Sequence, residues 1–411
     1  MLSLIRRGFL PALLGLAVEA YAVPKQNMQD SANNFVKVSG TEFTLNGKPF
    51  YFQGTNFYRL SLIERQSDAQ VYEIMQQLSE KGMKTVRIWG FSCGESNAQA
   101  MLKSVSKNSA EYDEIALRRL DLAIDAARRA NIKVILPLVN YQAEYCSMSW
   151  WVKQVVDKDD PNLFYTDPDV REAFKRHVGR MLSRANTTYM NKRHENITYA
   201  NDPTIMAVEL ANEPHTEDWY ESERGIRSGE ILYNWLEFMS DFIRSVDPNH
   251  LIASGEEGYS AAPSSQDAVD KHWWLSDGSK GADYERNLTL ANIDFATVHA
   301  YPTHWMIPVE DMEWFGTHYL KDRASIAHRV GKPVVLEEIG ISNIENPYLG
   351  YAKEPELWLE QLLHVANAAN YAGTMIWQLV PTGSEEGEFI YDFKSPVAAV
   401  VFKQAEYMNK L

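Results

Sequence analysis

The chain has 411 residues, a formal net charge of −15 at pH 7 and an aromatic content of 12%. This negative charge disfavours a polyanionic partner such as nucleic acid, so an uncharged ligand fits the composition better. No stretch beyond residue 22 is apolar enough to span a bilayer, and we therefore expect no membrane partner.

Residues 1–22 have the pattern of an export signal. Two arginines precede an apolar run at residues 9–18, and Ala20-Tyr21-Ala22 supplies small residues for cleavage. We therefore expect a secreted, extracellular protein. We also expect it to be a monomer. In a eukaryotic host, three Asn-x-Thr sequences would permit glycosylation, at Asn186, Asn196 and Asn287.

The mature chain, expected at residues 23–411, begins with a hairpin signal and continues with strands and helices in alternation. Asn46-Gly47 lies between two alternating segments, which predicts an N-terminal β-hairpin. Apolar runs typical of buried strands then alternate with apolar residues at helical spacing. The strands are predicted at residues 51–54, 84–88, 132–138, 206–210, 251–253, 293–298, 333–336 and 373–377.

This alternation predicts an α/β fold with a parallel sheet and right-handed crossovers. Eight repeats favour a (β/α)8 TIM barrel, in which the chemistry lies at the carboxyl ends of the strands. No linker rich in Pro, Ser or Gly divides the sequence, so we expect one catalytic domain.

The two cysteines, Cys93 and Cys146, are too few for a disulfide scaffold but an even number in an exported protein. They follow neighbouring predicted strands, at the same end of the barrel. A disulfide between these two loops and a pair of free thiols are the two alternatives.

Two predicted strands run directly into acidic residues. Residues 206–215 read Met-Ala-Val-Glu-Leu-Ala-Asn-Glu-Pro-His, and residues 333–340 read Pro-Val-Val-Leu-Glu-Glu-Ile-Gly. Two carboxylates on parallel strand ends suit glycosidic-bond cleavage, in which one protonates the leaving oxygen and the other attacks the anomeric carbon or activates water. We therefore predict Glu213 and Glu338 as the catalytic pair, although a single glutamate at a strand end is more often a solvated rim residue.

Several motifs taken together resemble glycoside hydrolase family 5, and more closely its β-mannanase branch. They are Gly54-Thr55-Asn56, Val86-Arg87-Ile88-Trp89, residues 209–214, residues 293–302 and Leu336-Glu337-Glu338-Ile339-Gly340. The resemblance covers nearly the whole mature chain and implies a retaining enzyme that hydrolyses internal β-1,4 links of mannan or glucomannan. It also implies that Glu213 is the acid/base and Glu338 the nucleophile.

The resemblance further implies that five residues at or near strand ends line the subsite of the attacked sugar, namely Arg87, Asn212, His299, Tyr301 and Trp377. We also predict that Asn140 and Trp305 bind the substrate. Arg87 could keep Glu338 ionised, and Asn212 could bond the sugar 2-hydroxyl. Trp377 offers an apolar platform for a sugar face. The alternative roles are a structural ion pair for Arg87, a loop-capping amide for Asn212 and core packing for Trp377.

Other acids lie near the same strand ends. Neighbours on a strand point to opposite faces, so only one of Glu337 and Glu338 should face the cleft, and the family pattern selects Glu338. Glu256 and Glu257, after the fifth strand, are expected in the surroundings of the site. No cluster with metal-ligand spacing and no Gly-rich phosphate loop occurs in the sequence, so we expect neither a metal nor a cofactor.

The sequence departs from the family pattern after Asn140, where it reads Tyr141-Gln142-Ala143-Glu144-Tyr145-Cys146 instead of an Asn-Trp pair and two glycines. The mode of cleavage therefore stays open. Long loops at residues 141–167, 215–228 and 255–290 could wall off one end of the cleft, the last with Trp273 and Trp274. The alternatives are an exo-acting β-mannosidase or mannobiohydrolase, a family 5 β-1,4-glucanase, and a non-catalytic polysaccharide-binding barrel.

Overall fold

The computed structural model describes residues 34–61, 66–94, 100–190, 196–262, 271–344, 354–380 and 387–411. The predicted export signal at residues 1–22 lies outside these ranges. Within them, no helix combines the length and the apolar character needed to cross a membrane.

Parallel strands form one eight-stranded sheet that closes into a barrel. In chain order they are β1 (Phe52–Asn56), β2 (Thr85–Arg87), β3 (Lys133–Pro137), β4 (Ile205–Glu209), β5 (Leu251–Ala253), β6 (Ala296–Ala300), β7 (Val334–Ile339) and β8 (Gly373–Ile376). Paired neighbours follow the order β5-β4-β3-β2-β1-β8-β7-β6. A backbone hydrogen bond of 2.8 Å from Asp294 to Ile252 joins the two outer strands, β6 and β5. The fold is the predicted (β/α)8 TIM barrel.

Helices on the outside connect the strands. They are α1 (Asp68–Glu80), α2 (Glu114–Arg129), α3 (Pro168–Ser183), α4 (Glu230–Val246), α5 (Tyr284–Leu288), α6 (Lys321–Arg329), α7 (Pro355–Ala368) and α8 (Pro396–Met408). Side-chain caps at Ser67, Asp113, Asp167, Asp283 and Ser395 start five of them. The shorter helical segments are Tyr58–Ser61, Met148–Val156, Leu163–Thr166, Tyr199–Asn201, Asp218–Ser222, Trp273–Leu275, Val309–Asp311, Met312–Trp314 and the π-helical Phe315–Leu320.

The predicted N-terminal hairpin is present. Glu42–Leu45 pairs with Lys48–Pro49, and Asn46 and Gly47 between them have φ of 55° and 74°, as a two-residue hairpin turn requires. Lys37–Ser39 adds a third strand. Phe43 of this hairpin contacts Phe52 and Phe295 near the amino ends of the barrel strands, so the carboxyl ends remain open to a ligand.

Three further two-stranded sheets lie outside the barrel sheet. They pair Leu102–Val105 with Ala110–Tyr112, Ala185–Met190 with Asn196–Thr198, and Leu379–Val380 with Tyr391–Asp392. Predicted and observed barrel strands overlap in every case, and their ends differ by up to three residues. In α4, Leu236, Met239 and Ile243 are buried, while Phe238 and Phe242 are half-buried and pack against the same core.

Burial argues against glycosylation at two of the three Asn-x-Thr sequences. Asn186 and Asn287 are fully buried, and their amide groups donate to the Asp121 carbonyl at 3.0 Å and to the Glu256 carboxylate at 2.7 Å. The folded chain therefore leaves no room for a glycan at either position. Asn196 is exposed and remains a candidate.

A disulfide joins Cys93 and Cys146, as one of the two alternatives anticipated, with 5.0 Å between their Cα atoms. It ties the loop after β2 to the loop after β3. Both residues are buried, so the bridge lies beneath the surface of the cleft rim.

We expect the double variant Cys93→Ala/Cys146→Ala to lose about 4 kcal/mol of unfolding free energy, because the bridge restricts the unfolded chain across 53 residues. Denaturant titration measures the loss. Wild-type protein under reducing conditions is the control and should match the variant. Two titratable thiols in folded, non-reduced protein would contradict the bridge.

Candidate active site

A cleft of about 690 Å³ lies at the carboxyl ends of the barrel strands. Of the predicted site residues, those in its lining are Asn140, Asn212, Glu213, Tyr301, Trp305, Glu338 and Trp377. Arg87 and His299 are fully buried and contact this lining from below. The barrel therefore brings the whole predicted set into one place.

The two predicted catalytic glutamates face each other. One carboxylate oxygen of Glu213, one of Glu338 and a ring nitrogen of His299 all lie within 4.8 Å of one another. Glu213 follows β4 with a φ of 52°, a conformation that non-glycine residues rarely adopt and that is common at functional sites. Its backbone N–H donates to the Gly255 carbonyl at 2.9 Å, which fixes the turn.

Two donors hold the carboxylate of Glu338. Arg87 Nη1 and the Tyr301 hydroxyl each donate to it at 2.5 Å. Burial raises the pKa of Glu338, and the charges of His299 and Arg87 oppose that rise. The carboxylate is therefore fixed in orientation from two sides.

Both carboxylate oxygens of Glu213 also accept hydrogen bonds. His299 Nδ1 lies 2.9 Å from Oε1, and Gln142 Nε2 donates to Oε2 at 3.0 Å. Burial raises the pKa of Glu213, but the hydrogen bond and charge of His299, with the bond from Gln142, hold it below its ordinary value. Burial lowers the pKa of His299, but Glu338, Glu213 and Glu337 together hold it well above its ordinary value. The surrounding carboxylates therefore favour the protonated form of His299.

Arg87 organises the floor of the site. All five of its N–H groups donate, two of them to Glu209 at 2.9 and 2.5 Å and the others to Asn56, Asn212 and Glu338. Burial alone would lower the pKa of Arg87, but the surrounding carboxylates hold it well above its ordinary value. The guanidinium thus fixes the positions of the Asn212 and Glu338 side chains relative to each other.

Two further buried glutamates, Glu209 and Glu337, support the site and were not predicted to do so. Glu209 is fully buried, and burial raises its pKa to about 8 against the charge of Arg87. Glu338 lines the cleft and Glu337 does not, but Glu337 Oε2 lies beneath the lining, 3.4 Å from His299 Nε2 and 3.7 Å from Arg87 Nε. The register of β7 shifts against both neighbouring strands at this point, so consecutive glutamates both turn inward. A glutamate inside an apolar strand needs a buried partner, and that was the available signal for Glu209.

Asn140 supports Asn212. The Asn212 amide donates to Asn140 Oδ1 at 3.0 Å and accepts from Arg87 at 2.6 Å, while Asn140 Nδ2 donates to the Glu144 carbonyl. Asn212 therefore keeps one N–H for a ligand, and Asn140 serves to orient it.

Aromatic side chains form two groups in the cleft. Trp377 stacks on Tyr58, with ring centroids 5.0 Å apart and planes 10° apart, and Trp89 and Tyr145 complete that group. Trp305 packs beside Tyr259 in the second group, with Trp274 behind it. Trp274 is half-buried and Trp273 is 61% exposed, and the cleft lining includes neither, so this pair does not cap the described cleft.

The two acids after β5 differ in position. Glu257 lines the cleft and accepts a 3.0 Å hydrogen bond from the Tyr259 hydroxyl. Burial and the charge of Glu213 raise the pKa of Glu257 well above its ordinary value. Glu256 points away from the lining toward Asn287, so only Glu257 belongs to the surroundings of the site.

Among the described residues, Glu213, His299 and Glu338 are the one group whose ligand atoms could surround a metal ion. Both carboxylate oxygens of each glutamate and both ring nitrogens of His299 already have a polar partner within hydrogen-bonding distance. The donor set therefore suits proton transfer between carboxylates and an imidazole.

A TIM barrel whose carboxyl-end cleft holds two facing glutamates is the arrangement of a glycoside hydrolase. The family described as "GH family 5 beta-mannosidase-like" matches residues 33–354, and the chain belongs to glycoside hydrolase family 5. It is 30% identical to "Mannan endo-1,4-beta-mannosidase 5" of Solanum lycopersicum, over 97% of this chain and 94% of that protein. It is 31% identical to "Mannan endo-1,4-beta-mannosidase A" of Podospora anserina, over 80% and 79%.

Solved structures show the same likeness. The endo-1,4-beta-mannanase from Rhizomucor miehei superposes with a TM-score of 0.76 at 27% identity, covering 92% of this chain and 100% of that chain. The endo-beta-1,4-mannanase from Thermotoga petrophila superposes with a TM-score of 0.74 at 29% identity, covering 89% and 78%. The likeness therefore extends over most of the barrel.

Proposed function

We propose that this protein is a secreted, retaining mannan endo-1,4-β-mannosidase that cleaves internal β-1,4-mannosidic bonds of mannan or glucomannan. The observation that carries the retaining assignment is the separation of Glu213 and Glu338, whose nearest described oxygens lie within 4.8 Å. Direct attack needs carboxyl groups about 5 to 5.5 Å apart, whereas an intervening water needs about 6.5 to 9.5 Å. The names of the relatives support the substrate class.

The contacts of the two glutamates support a division of roles. The Glu338 side chain is 3% exposed and held by Arg87 and Tyr301, as suits a nucleophile whose position must be fixed. The Glu213 side chain is 12% exposed and paired with His299, as suits a group that exchanges protons with a leaving group and then with water.

The reaction then has two displacements. Glu338 attacks the anomeric carbon while Glu213 protonates the leaving oxygen, which leaves a covalent glycosyl-enzyme. The proton comes from the Glu213–His299 pair, in which His299 Nδ1 and Glu213 Oε1 lie 2.9 Å apart. Glu213 next takes a proton from water, which attacks the same carbon and restores both glutamates. Asn212, oriented by Arg87 and Asn140, is placed to bond the 2-hydroxyl of the attacked sugar.

The cleft supports endo action because lining residues lie on both sides of the catalytic pair. Glu213 follows β4 and Glu338 lies on β7, so β5 and β6 lie between them on one side of the barrel. That side carries Tyr259 and Trp305, and the other side carries Tyr58, Trp89 and Trp377. Sugar units can therefore bind on either side of the cleaved bond.

The export pattern of residues 1–22 and the Cys93–Cys146 disulfide support secretion, because disulfides persist in oxidising compartments. The partner that we propose is β-mannan, glucomannan or a manno-oligosaccharide, bound by a monomer without a cofactor.

Product analysis tests the proposal. On mannan and mannohexaose we expect a spread of oligomers, an early fall in polymer viscosity, and first products with the β configuration. Cellulose serves as the control and should be cleaved far more slowly than mannan or glucomannan. Release of mannose or mannobiose alone, with viscosity unchanged, would contradict endo action, and α-configured first products would contradict retention.

A further inference from the structure

The loop after β3 is anchored at both ends and reaches the catalytic acid/base. Asn140 N–H donates to the Cys146 carbonyl at 3.2 Å, and Met148 N–H donates to the Asn140 carbonyl at 2.9 Å. The disulfide to Cys93 fixes the same end. Between these anchors, Gln142 is exposed and extends its amide over Glu213.

The acid/base has no oxygen without a donor in this arrangement. Gln142 Nε2 donates to Glu213 Oε2 at 3.0 Å, and His299 occupies Oε1 at 2.9 Å. A general acid must bring one oxygen within about 3 Å of the oxygen that it protonates. The oxygen that carries the proton and donates to the glycosidic oxygen is a poorer acceptor than a carboxylate oxygen, so the partner on that oxygen loses most of its hydrogen bond when the substrate arrives.

His299 is the fixed partner and Gln142 the replaceable one. The His299 ring is fully buried on β6, with its other nitrogen 3.4 Å from Glu337. Gln142 is exposed on a loop and its amide makes its described side-chain bond to Glu213 alone. Displacing Gln142 costs one surface hydrogen bond, whereas displacing His299 would break a buried charged network.

We propose that the Gln142 amide is a latch on the acid/base, which holds Glu213 Oε2 until the glycosidic oxygen of the substrate takes its place. The inference rests on the proposed function and deepens it by adding a positioning residue.

The latch acts on the substrate-free enzyme. A donated hydrogen bond favours the ionised form, so Gln142 lowers the pKa of Glu213 while the site is free. Once the substrate displaces the Gln142 amide, the amide no longer lowers the pKa of Glu213. The other titratable or charged groups that face Glu213 are Arg87 on β2, His215 after β4, Glu257 and Tyr259 after β5, His299 and Tyr301 from β6, and Glu338 on β7. None of these is altered by a substitution at position 142.

The test compares the pH dependence of the free and the substrate-bound enzyme in Gln142→Leu. Glycosylation needs protonated Glu213, so loss of the donor should move the alkaline limb of kcat/KM on mannohexaose to higher pH. On that limb we expect kcat/KM to exceed the wild-type value by roughly two- to tenfold, the effect of one lost hydrogen bond. The glycosylation rate at saturating substrate, which reports the bound enzyme, should keep its wild-type pH profile.

Glu144→Gln is the matched control, because this exposed residue lies on the same loop and in the cleft lining, and its described structural contacts use the backbone carbonyl. Its alkaline limb should stay in place. An unmoved limb in Gln142→Leu, an equal displacement in Glu144→Gln, or an equal displacement of the free and saturated profiles would overturn the latch.

A direct titration keeps the latch testable if mannan is not the substrate. In protein labelled with ¹³C at glutamate side-chain carboxyls, the Glu213 resonance, assigned through Glu213→Gln, should titrate at higher pH in Gln142→Leu than in wild type. Identical titration of the two proteins overturns the latch. Failure of wild type to cleave mannohexaose, with a displaced titration, overturns the proposed substrate and leaves the latch standing.

Discussion

Glu338→Ala is expected to lower kcat by roughly 10⁴-fold or more on every substrate, because no other group can form the covalent intermediate. The loss should be the same for mannohexaose and for an aryl mannobioside with a good leaving group, since both need the nucleophile. Arg87 keeps its paired bonds to Glu209 in this variant, so we expect the fold to survive. Steady-state kinetics on both substrates, with circular dichroism to verify folding, measure the effect.

Glu337→Gln is the matched control for this prediction. Glu337 is the adjacent, equally buried glutamate, yet its carboxylate faces Arg87 and His299 and does not line the cleft. It should retain most activity on the aryl substrate. Added azide should restore turnover in Glu338→Ala with an α-configured mannosyl azide, because one displacement then replaces two. Full activity in Glu338→Ala with loss in Glu337→Gln would contradict the assignment.

The barrel and the position of the site could be predicted because both depend on local patterns. Apolar runs of strand length alternate with helical stripes, and a parallel barrel brings the carboxyl ends of all strands to one rim. Residues that follow such runs, as Glu213, Asn212 and Trp377 do, must then lie near one another. The Asn-Gly turn of the hairpin was equally local.

Features that depend on register and on burial could not be predicted. Alternation along an ideal strand predicted no contact between Glu337 and the site, and the register shift in β7 that brings it to Arg87 and His299 has no signature in Leu-Glu-Glu-Ile. Asn186 and Asn287 match a glycosylation pattern that carries no information about burial. The partnership of Glu209 with Arg87 joins strands that are 122 positions apart in sequence, so only the closed barrel reveals it.

Glu213→Ala should impair the cleavage of mannohexaose far more than glycosylation by an activated aryl mannobioside, whereas Glu338→Ala should impair both reactions equally. On mannohexaose we expect kcat/KM to fall by roughly 10²- to 10⁴-fold, because the leaving sugar needs a proton. A dinitrophenyl mannobioside leaves without one, so its glycosylation should stay close to the wild-type rate while hydrolysis of the intermediate becomes slow. Alanine has the same Cβ as glutamate, so the φ of 52° adds no new strain in the variant.

Burst kinetics and azide rescue measure this behaviour. A rapid burst of dinitrophenol followed by slow turnover shows an accumulated glycosyl-enzyme, and azide should speed its breakdown to a β-mannosyl azide. Glu257→Gln is the control, since Glu257 lines the same cleft but bonds Tyr259, and it should keep the wild-type ratio between the two substrates. An α-configured azide from Glu213→Ala would mean that the attacking carboxylate had been removed, and the roles of Glu213 and Glu338 would then be reversed.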